Sequence, residues 1–229
     1  MKKILFSVSI LVSLNCYAAT LAVPNLQVSS SAYKNNFIDP TKPNLIDPVT
    51  QNVLKQEIST FSAQIRGKII QSKHFQVIDV DNSINPSLFG NNESANIKPV
   101  KINADYILVG TVSAIDANEE TKPLTDTNMY SVIYSIDIAV DYKLVRIKDN
   151  HIVASFTAAG HGGDVKLTPD KNQKVSHNTP KLIQQAGDDL AGEVNDQLTL
   201  QLENGKIIRD YQEASPKVTD VKVYSTQES

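Results

Sequence analysis

The sequence has few of the residues that build aromatic stacking sites or thiol chemistry. Its 229 residues include no tryptophan, only 6% aromatic residues and a single cysteine, Cys16. Stacked aromatic side chains serve many sugar sites and single-stranded nucleic-acid sites, so both kinds of site are disfavoured. A lone cysteine forms no disulfide within the chain and no cysteine-based metal site. The composition, 41% hydrophobic and 21% charged, is that of a globular domain.

The first 18 residues have the features of a secretory signal peptide. Two lysines follow Met1, and the apolar run 4–14 is too short to cross a bilayer as a helix. Small residues at Cys16 and Ala18 predict cleavage after Ala18 and therefore a periplasmic location. Two alternatives stay open, a membrane anchor that is not cleaved and a lipid attached to Cys16.

The net charge limits the partners that the chain can attract. Cleavage after Ala18 would remove two lysines and no acidic residue, so the formal charge would change from −3 to −5. A mildly acidic protein has no general attraction for nucleic acid or for anionic lipid. The charge therefore predicts no nucleic-acid partner and at most a peripheral contact with a membrane.

Two amphipathic helices are predicted from apolar residues spaced three or four apart. The first covers residues 49–73, and its apolar face consists of Leu54, Ile58, Phe61, Ile65 and Ile69. The second begins near Thr179, which is a suitable N-cap followed by Pro180, and ends at Gly205. Its apolar face consists of Leu182, Ile183, Ala186, Leu190, Ala191, Val194, Leu198 and Leu202.

Five strands are predicted, and they cover residues 20–28, 74–80, 104–115, 130–147 and 152–160. The continuous apolar run 106–110 predicts a central strand that is covered on both faces. Pro24 places the first strand at an edge of the sheet or marks a bulge. The charged segment 116–126 is predicted to be a turn, and the glycines from Gly160 onwards are predicted to end the last strand.

The element order β, α, β, β, β, β, α predicts an α+β sandwich. We expect a mixed, mostly antiparallel sheet with two main helices packed on one or both faces. A single domain should cover residues 19–205, followed by a polar, flexible C-terminal tail over 206–229. The long loops 29–48 and 81–100 are rich in turn-forming residues and are predicted to bind partners.

No enzyme motif is found in the sequence. His161 and Asp164, in the segment "HGGD", are the candidate residues for a hydrolase. A metal site would need more ligands at suitable spacing, and the adjacent pair Glu119–Glu120 is predicted to be solvated. The other histidines are predicted to be solvated loop residues, namely His74, His151 and His177. The sequence therefore predicts a protein that is not an enzyme, with no catalytic, cofactor or metal residue, and with a hydrolase using His161 and Asp164 as an alternative.

Four segments together resemble a known family: "VIDV", "ADYILVGTVSAID", "DIAVDYKLVRIKDNHIVASFTAAG" and "DDLAGEVNDQL". Their order is similar to that of the curli-secretion-channel (CsgG) and penicillin-binding-protein-activator (LpoB) family of bacterial envelope proteins. The matching residues are Ala104, Asp105, Tyr106 and Gly110 in the first motif and Tyr142, Leu144, Val145 and Val153 in the second. Arg146 and Asn150 stand where the second motif has an acid and a glycine.

The resemblance implies both a fold and a role. The fold would be the CsgG/LpoB-like, anticodon-binding-domain-like α/β sandwich. The role would be that of a non-enzymatic periplasmic adaptor or structural subunit of an outer-membrane-associated secretion-system or flagellar-ring complex. Its partners would be other envelope proteins in a ring or multi-subunit assembly. The alternative role is the activation of a penicillin-binding protein in peptidoglycan synthesis.

Overall fold

The computed structural model describes residues 18–33, 48–78, 80 and 102–207. These residues belong to one compact unit, Ala18–Ile208. Nearly all of the predicted signal peptide and tail, most of loop 29–48 and the whole of loop 81–100 lie outside the described residues. The expectations for those segments stay predictions.

The described residues form a mixed six-stranded sheet with two helices. The elements are β1 (Ala19–Ala22), β2 (Gln27–Val28), α1 (Pro48–Ser72), β3 (Phe75–Ile78), β4 (Tyr106–Pro123), β5 (Tyr130–Arg146), β6 (His151–Thr168) and α2 (Thr179–Glu203). The strand order is β3-β1-β4-β5-β6, and β2 pairs separately with β4. Strand β1 pairs parallel with β3 and with β4, and β2 pairs parallel with β4. Strand β5 pairs antiparallel with β4 and with β6. The predicted α+β sandwich is confirmed.

Both helices cover the same face of the sheet. The predicted apolar residues of α1 are all buried, and those of α2 are buried except for Leu202, which is half-buried. They form one core cluster with strand residues such as Leu108 and Ile138. Neither of these described helices combines the length and apolar character needed to cross a membrane. We name the opposite side of the sheet the outer face.

The centre of β4 is buried on both faces, as the apolar run predicted. Leu108 belongs to the helix-side core, whereas Ile107 and Val109 belong to a smaller cluster on the outer face. That smaller cluster also contains Ala22, Val80 and Val145. At Gly110, a Cβ atom would lie 2.5 Å from Leu26 Cδ2 and 2.6 Å from Tyr142 Cε1. Glycine stands there because the neighbouring side chains approach the backbone closely.

The strand predicted over 20–28 is divided in two, and its first part is not an edge strand. Strand β1 lies between β3 and β4, and Pro24 falls in the irregular segment before β2. This segment is tied to α1, since the Leu26 amide donates to Ser62 Oγ at 3.0 Å. The Arg66 guanidinium donates to the Val23 carbonyl oxygen at 3.1 Å. Contacts with α1 thus replace the strand pairing that is lost in this segment.

The charged segment predicted as a turn over 116–126 mostly continues β4. The pairing with β5 runs without a gap from Ala114↔Ala139 to Pro123↔Tyr130. The connection is therefore short, and the Leu124 amide donates to the Met129 carbonyl oxygen across it at 3.0 Å. Backbone hydrogen bonds to β5 are available whatever the side chains of β4 are, so exposed charges do not end the strand.

The glycines predicted to end the last strand instead lie inside β6. A Cβ atom on Gly160 would lie 2.1 Å from the Ala186 carbonyl oxygen, and one on Gly162 would lie 2.0 Å from the Leu182 carbonyl oxygen. The two glycines therefore let the backbone of α2 approach the strand. As a result the fold has three strands of 17 or 18 residues, where one long strand was predicted.

The ends of α2 differ slightly from the prediction. The N-cap is Asn178 rather than Thr179, because the Lys181 amide donates to Asn178 Oδ1 at 3.3 Å. Pro180 lies in the first turn, where its missing amide hydrogen has no consequence. Gly205 follows the helix with φ of +69°, a conformation that favours glycine, as expected for a helix stop.

Candidate functional site

Strands β4, β5 and β6 form a three-stranded ribbon that continues past the start of α2. Eighteen residues of strand span about 60 Å. The Leu182 carbonyl, near the start of α2, lies over Gly162, and the next turns of α2 lie over Gly160. The helix therefore runs antiparallel to β6 and does not cover the residues after Gly162. We name the part beyond Gly162, residues 118–135 and 163–168, the tip of the ribbon. The tip is where the chain presents side chains without a helix over them.

On the helix side of the tip, a histidine is buried between two carboxylates. Glu119, Tyr134 and Asp164 occupy one row across the three strands. His177, from the connection between β6 and α2, stacks on Tyr134 with ring centroids 4.5 Å apart. Its Nε2 lies 4.0 Å from Glu119 Oε2, and its Nδ1 lies 3.9 Å from Asp164 Oδ2. The side chain of His177 is only 8% exposed.

This arrangement has a packing role rather than a ligand-binding geometry. Both distances from His177 are too long for hydrogen bonds, and neither ring nitrogen has a hydrogen-bond partner among the described residues. Within the part of the chain that the structure describes, no three His, Cys, Asp or Glu side chains could hold a metal ion. Lys166 Nζ donates to the Ser176 carbonyl oxygen beside it. The prediction that His177 is a solvated loop residue is wrong, because its ring covers Tyr134.

The two residues of the hydrolase alternative lie on opposite faces of β6. Three positions separate His161 from Asp164, and successive side chains of a strand alternate between faces. His161 lies on the outer face, where its Nδ1 is 2.7 Å from Asp137 Oδ1. Asp164 faces the helix side, towards His177. The structure therefore does not bring His161 and Asp164 together on one substrate.

The adjacent carboxylates Glu119 and Glu120 also point to opposite faces, because both belong to β4. Glu119 faces His177, whereas Glu120 forms an exposed ion pair with Lys122 at 2.9 Å. They cannot serve together as an acid and a base.

Asp105, the acid of the family-like first motif, joins the starts of β1 and β4. Its Oδ2 accepts hydrogen bonds from the Thr20 amide at 2.8 Å and from Thr20 Oγ1 at 2.6 Å. In return the Asp105 amide donates to Thr20 Oγ1 at 2.8 Å. These three hydrogen bonds join two strands of the sheet, so Asp105 of the motif has a structural role.

The outer face of the tip exposes apolar side chains. Val165 is 58% exposed and Leu167 is 61% exposed, and the half-buried Ile133 lies directly opposite Val165. We name these three residues the tip patch. The patch was not predicted, because the last strand was expected to end at residue 160. The alternation of polar and apolar residues over 164–168 was the available signal.

The pKa shifts of Tyr33, Tyr142 and Asp149 have structural causes. Burial raises the pKa of Tyr142, and it also raises the pKa of Tyr33, which is less buried. Both phenols therefore stay protonated. Hydrogen bonds from the Arg146 guanidinium lower the pKa of Asp149, three residues away in the β5–β6 turn. That pair is exposed and far along the ribbon from the tip patch.

No protein-family model matches the chain, and no curated protein matches its sequence. Solved structures do resemble its fold. A neuraminyllactose-binding hemagglutinin homolog from Helicobacter pylori has 13% identity and a TM-score of 0.48, covering 84% of this chain and 88% of its own. A hypothetical protein from Chlamydia trachomatis has 11% identity and a TM-score of 0.43, covering 82% and 98%. A minor lipoprotein from Acinetobacter baumannii has 11% identity and a TM-score of 0.32, covering 82% and 94%.

These three neighbours are bacterial proteins, and one of them is a lipoprotein. None of the three bears the name of a curli secretion channel or of an LpoB-type activator. With identities of 11–13% and TM-scores below 0.5, the resemblance to the CsgG and LpoB family stays a prediction.

Proposed function

We propose that this chain is a non-enzymatic periplasmic adaptor or structural subunit of a bacterial envelope assembly. The assembly would be of the outer-membrane-associated secretion-system or flagellar-ring type, and the chain would act by binding other envelope proteins. The observation that carries the proposal is the tip of the ribbon, which reaches past α2 and exposes Val165 and Leu167.

The chemistry of the tip suits a protein partner. Contiguous exposed apolar side chains mark interaction sites more often than isolated ones do, and the tip patch is contiguous. Beside the patch, Glu120 and Lys122 carry opposite charges and pair with each other. An apolar centre with a charge-balanced border favours a protein surface over a polyanion such as nucleic acid.

The polar groups nearby support a binding role rather than catalysis. Among the described residues near the tip, His161 is paired with Asp137, and Glu120 is paired with Lys122. Catalysis would require an acid, a base or a nucleophile that converge on one substrate atom. The long β strands instead supply an extended surface, which is the requirement of an adaptor.

The proposal can be tested by crosslinking a tagged, full-length copy in intact cells, followed by affinity capture and mass spectrometry. The tip variant combines Val165→Ser with Leu167→Ser, and both sites are exposed enough for the fold to tolerate the change. Ala159→Ser is the matched control, since it changes an exposed residue on the same face of β6 nearer to α2. Thermal unfolding should show that all three proteins are folded.

We expect a defined set of envelope proteins in fixed ratio with the wild type and the control, and its loss with the tip variant. An unchanged set with the tip variant would contradict a role for the patch, and no fixed set at all would contradict the adaptor. If a penicillin-binding protein dominates the capture, purified chain should be added to that synthase. Faster glycan polymerisation would then favour the activator alternative.

A further inference from the structure

The outer edge of β6 is open at the tip of the ribbon. Strand β6 is the last strand of the sheet, so β5 pairs with only one of its edges. The His161 amide points outwards, since it donates to Asp189 of α2 at 2.9 Å. Amide groups on one edge of a strand recur at every second residue, so those of Gly163, Val165 and Leu167 point outwards as well. These three lie past the start of α2, where no described strand pairs with them.

We propose that a second copy of this chain pairs with this edge. Residues 163–168 of the two copies would run antiparallel, with a two-fold axis at Val165. The two ribbons would then join into one continuous six-stranded sheet. An open edge is a natural docking site for another strand, and a two-fold axis makes the same surface serve both copies.

The charges of the strand select this register. With the axis at Val165, Asp164 stands opposite the partner's Lys166, and Lys166 stands opposite the partner's Asp164. Moving the axis by one residue sets Asp164 against the partner's Asp164, or Lys166 against the partner's Lys166. Opposite charges across a strand pair stabilise it, and like charges destabilise it. Asp164 and Lys166 are 30% and 38% exposed and lie 3.9 Å apart within one chain, so the partner's charges would extend an existing ion pair across the joint.

The same register places the exposed apolar residues of the two outer faces side by side. Val165 meets the partner's Val165, and Leu167 meets the partner's Gly163, which has no side chain to obstruct it. The four large apolar side chains then form one stripe across the joint. The strand is therefore complementary to itself in charge and in shape, which is why a second copy is the occupant that it fits.

This inference goes beyond the proposed function and does not rest on it. Pairing uses the edge of β6, the helix-side charges at Asp164 and Lys166, and the contacts of Val165 and Leu167 at the joint. The adaptor proposal concerns envelope partners and is tested with Val165 and Leu167. The two are distinguished because Asp164→Lys disrupts the pairing and leaves Val165 and Leu167 in place.

A charge exchange in the purified, full-length protein tests the pairing. We expect sedimentation equilibrium to show a dimer for the wild type. Asp164→Lys and Lys166→Asp should each weaken the dimer by about tenfold, because two favourable pairs become two like-charge pairs. An equal mixture of the two variants should form a heterodimer with the affinity of the wild type. That recovery also shows that each variant is folded.

Cysteine crosslinking tests the register, with Cys16→Ser as the background. In the proposed pair, the Cα atoms of the two Val165 residues would be about 5.5 Å apart, within the range of roughly 4.4–6.8 Å for disulfides. The two Leu167 residues would be separated by roughly 13 Å. Under mild oxidation, Val165→Cys should therefore form a covalent dimer and Leu167→Cys should not.

Three results would overturn the inference. They are a wild-type protein that is monomeric at its highest soluble concentration, single charge variants that dimerise as well as the wild type, and a Leu167→Cys variant that crosslinks as readily as Val165→Cys.

Discussion

Replacing Gly162 by alanine should force α2 away from the ribbon. The new Cβ atom would lie 2.0 Å from the Leu182 carbonyl oxygen and 2.8 Å from its carbonyl carbon. Contacts between carbon and oxygen are normally about 3.3 Å or longer, so the helix would have to move by about 1 Å. Because the obstacle is backbone, no side-chain rotation can relieve the clash.

The size of the effect follows from the surface that α2 buries. A gap of about 0.5–1 Å already removes a quarter to a half of the dispersion attraction between the surfaces. Overpacking of this kind lowers the free energy of unfolding by about 1–3 kcal/mol, and we expect about 3 kcal/mol here. Intrinsic preference acts in the opposite direction, because alanine is favoured over glycine in a strand by roughly 0.5–1 kcal/mol. A loss of stability would therefore report the helix contact.

Urea unfolding followed by far-ultraviolet circular dichroism measures this loss. With a urea dependence of about 2–3 kcal/mol per molar, the midpoint should fall by about 1–1.5 M. Gly192→Ala in α2 is the matched control, since nothing lies within 4 Å of its Cβ position. The control should gain up to about 1 kcal/mol from helix propensity. The reasoning is refuted if Gly162→Ala changes stability by less than about 0.5 kcal/mol, or if the control loses as much.

Three further predictions concern other contacts. Asp105→Ala should lower the free energy of unfolding by about 2–3 kcal/mol, because the Thr20 amide and hydroxyl lose their shared acceptor. Urea unfolding would contradict this role if the loss were under about 0.5 kcal/mol. Phe61→Ala should cost about 3–5 kcal/mol by the same assay, since the ring is 1% exposed, and a smaller effect than Asp105→Ala would be unexpected. Hydrogen bonds from Arg146 lower the pKa of Asp149 in the folded protein. The pair should therefore stabilise the fold above about pH 4, and this contribution should be lost as the pH falls through the pKa of Asp149 in the folded protein. Arg146→Gln should raise that pKa in a carboxyl NMR titration, and an unchanged value would exclude the pair as its cause.

The helices and the centre of the sheet could be predicted because side-chain spacing encodes them directly. A stripe such as Leu54, Ile58 and Phe61 can bury itself only as one face of a helix. The run 106–110 has no polar face, so it had to be covered on both sides. These features depend on residues that are near one another in the sequence.

The far ends of β4 and β6 could not be predicted in the same way, because pairing with β5 decides them. Residues 116–123 carry charges that are typical of a turn, but β5 offers them a complete set of hydrogen-bonding partners. Gly160 and Gly162 were expected to break the strand, but the reason for them lies about 25 residues later, in the backbone of α2. The pattern of residues along one strand does not show that a distant helix will pack its backbone against these glycines.

The candidate site depends on the same missing information. The row of Glu119, Tyr134 and Asp164 exists only when the registers of both hairpins are known. His177 then joins the row from an irregular connection that has no periodicity of its own. The separation of His161 from Asp164, by contrast, follows from strand alternation alone, once β6 is known to continue through both.

The hydrogen bonds between Thr20 and Asp105 affect the order in which the strands can pair while the chain is being synthesised. It joins residues 85 positions apart, and β1 also needs Tyr106 and Ile107 as partners. The first strand to leave the ribosome therefore cannot complete its hydrogen bonds until residue 107 has been made. Strands β4, β5 and β6, joined by two short turns, need only their neighbours in sequence, and such local pairing is fast. The interior strand β1 is thus made early, yet its edge towards β4 stays open until Tyr106 and Ile107 have been made.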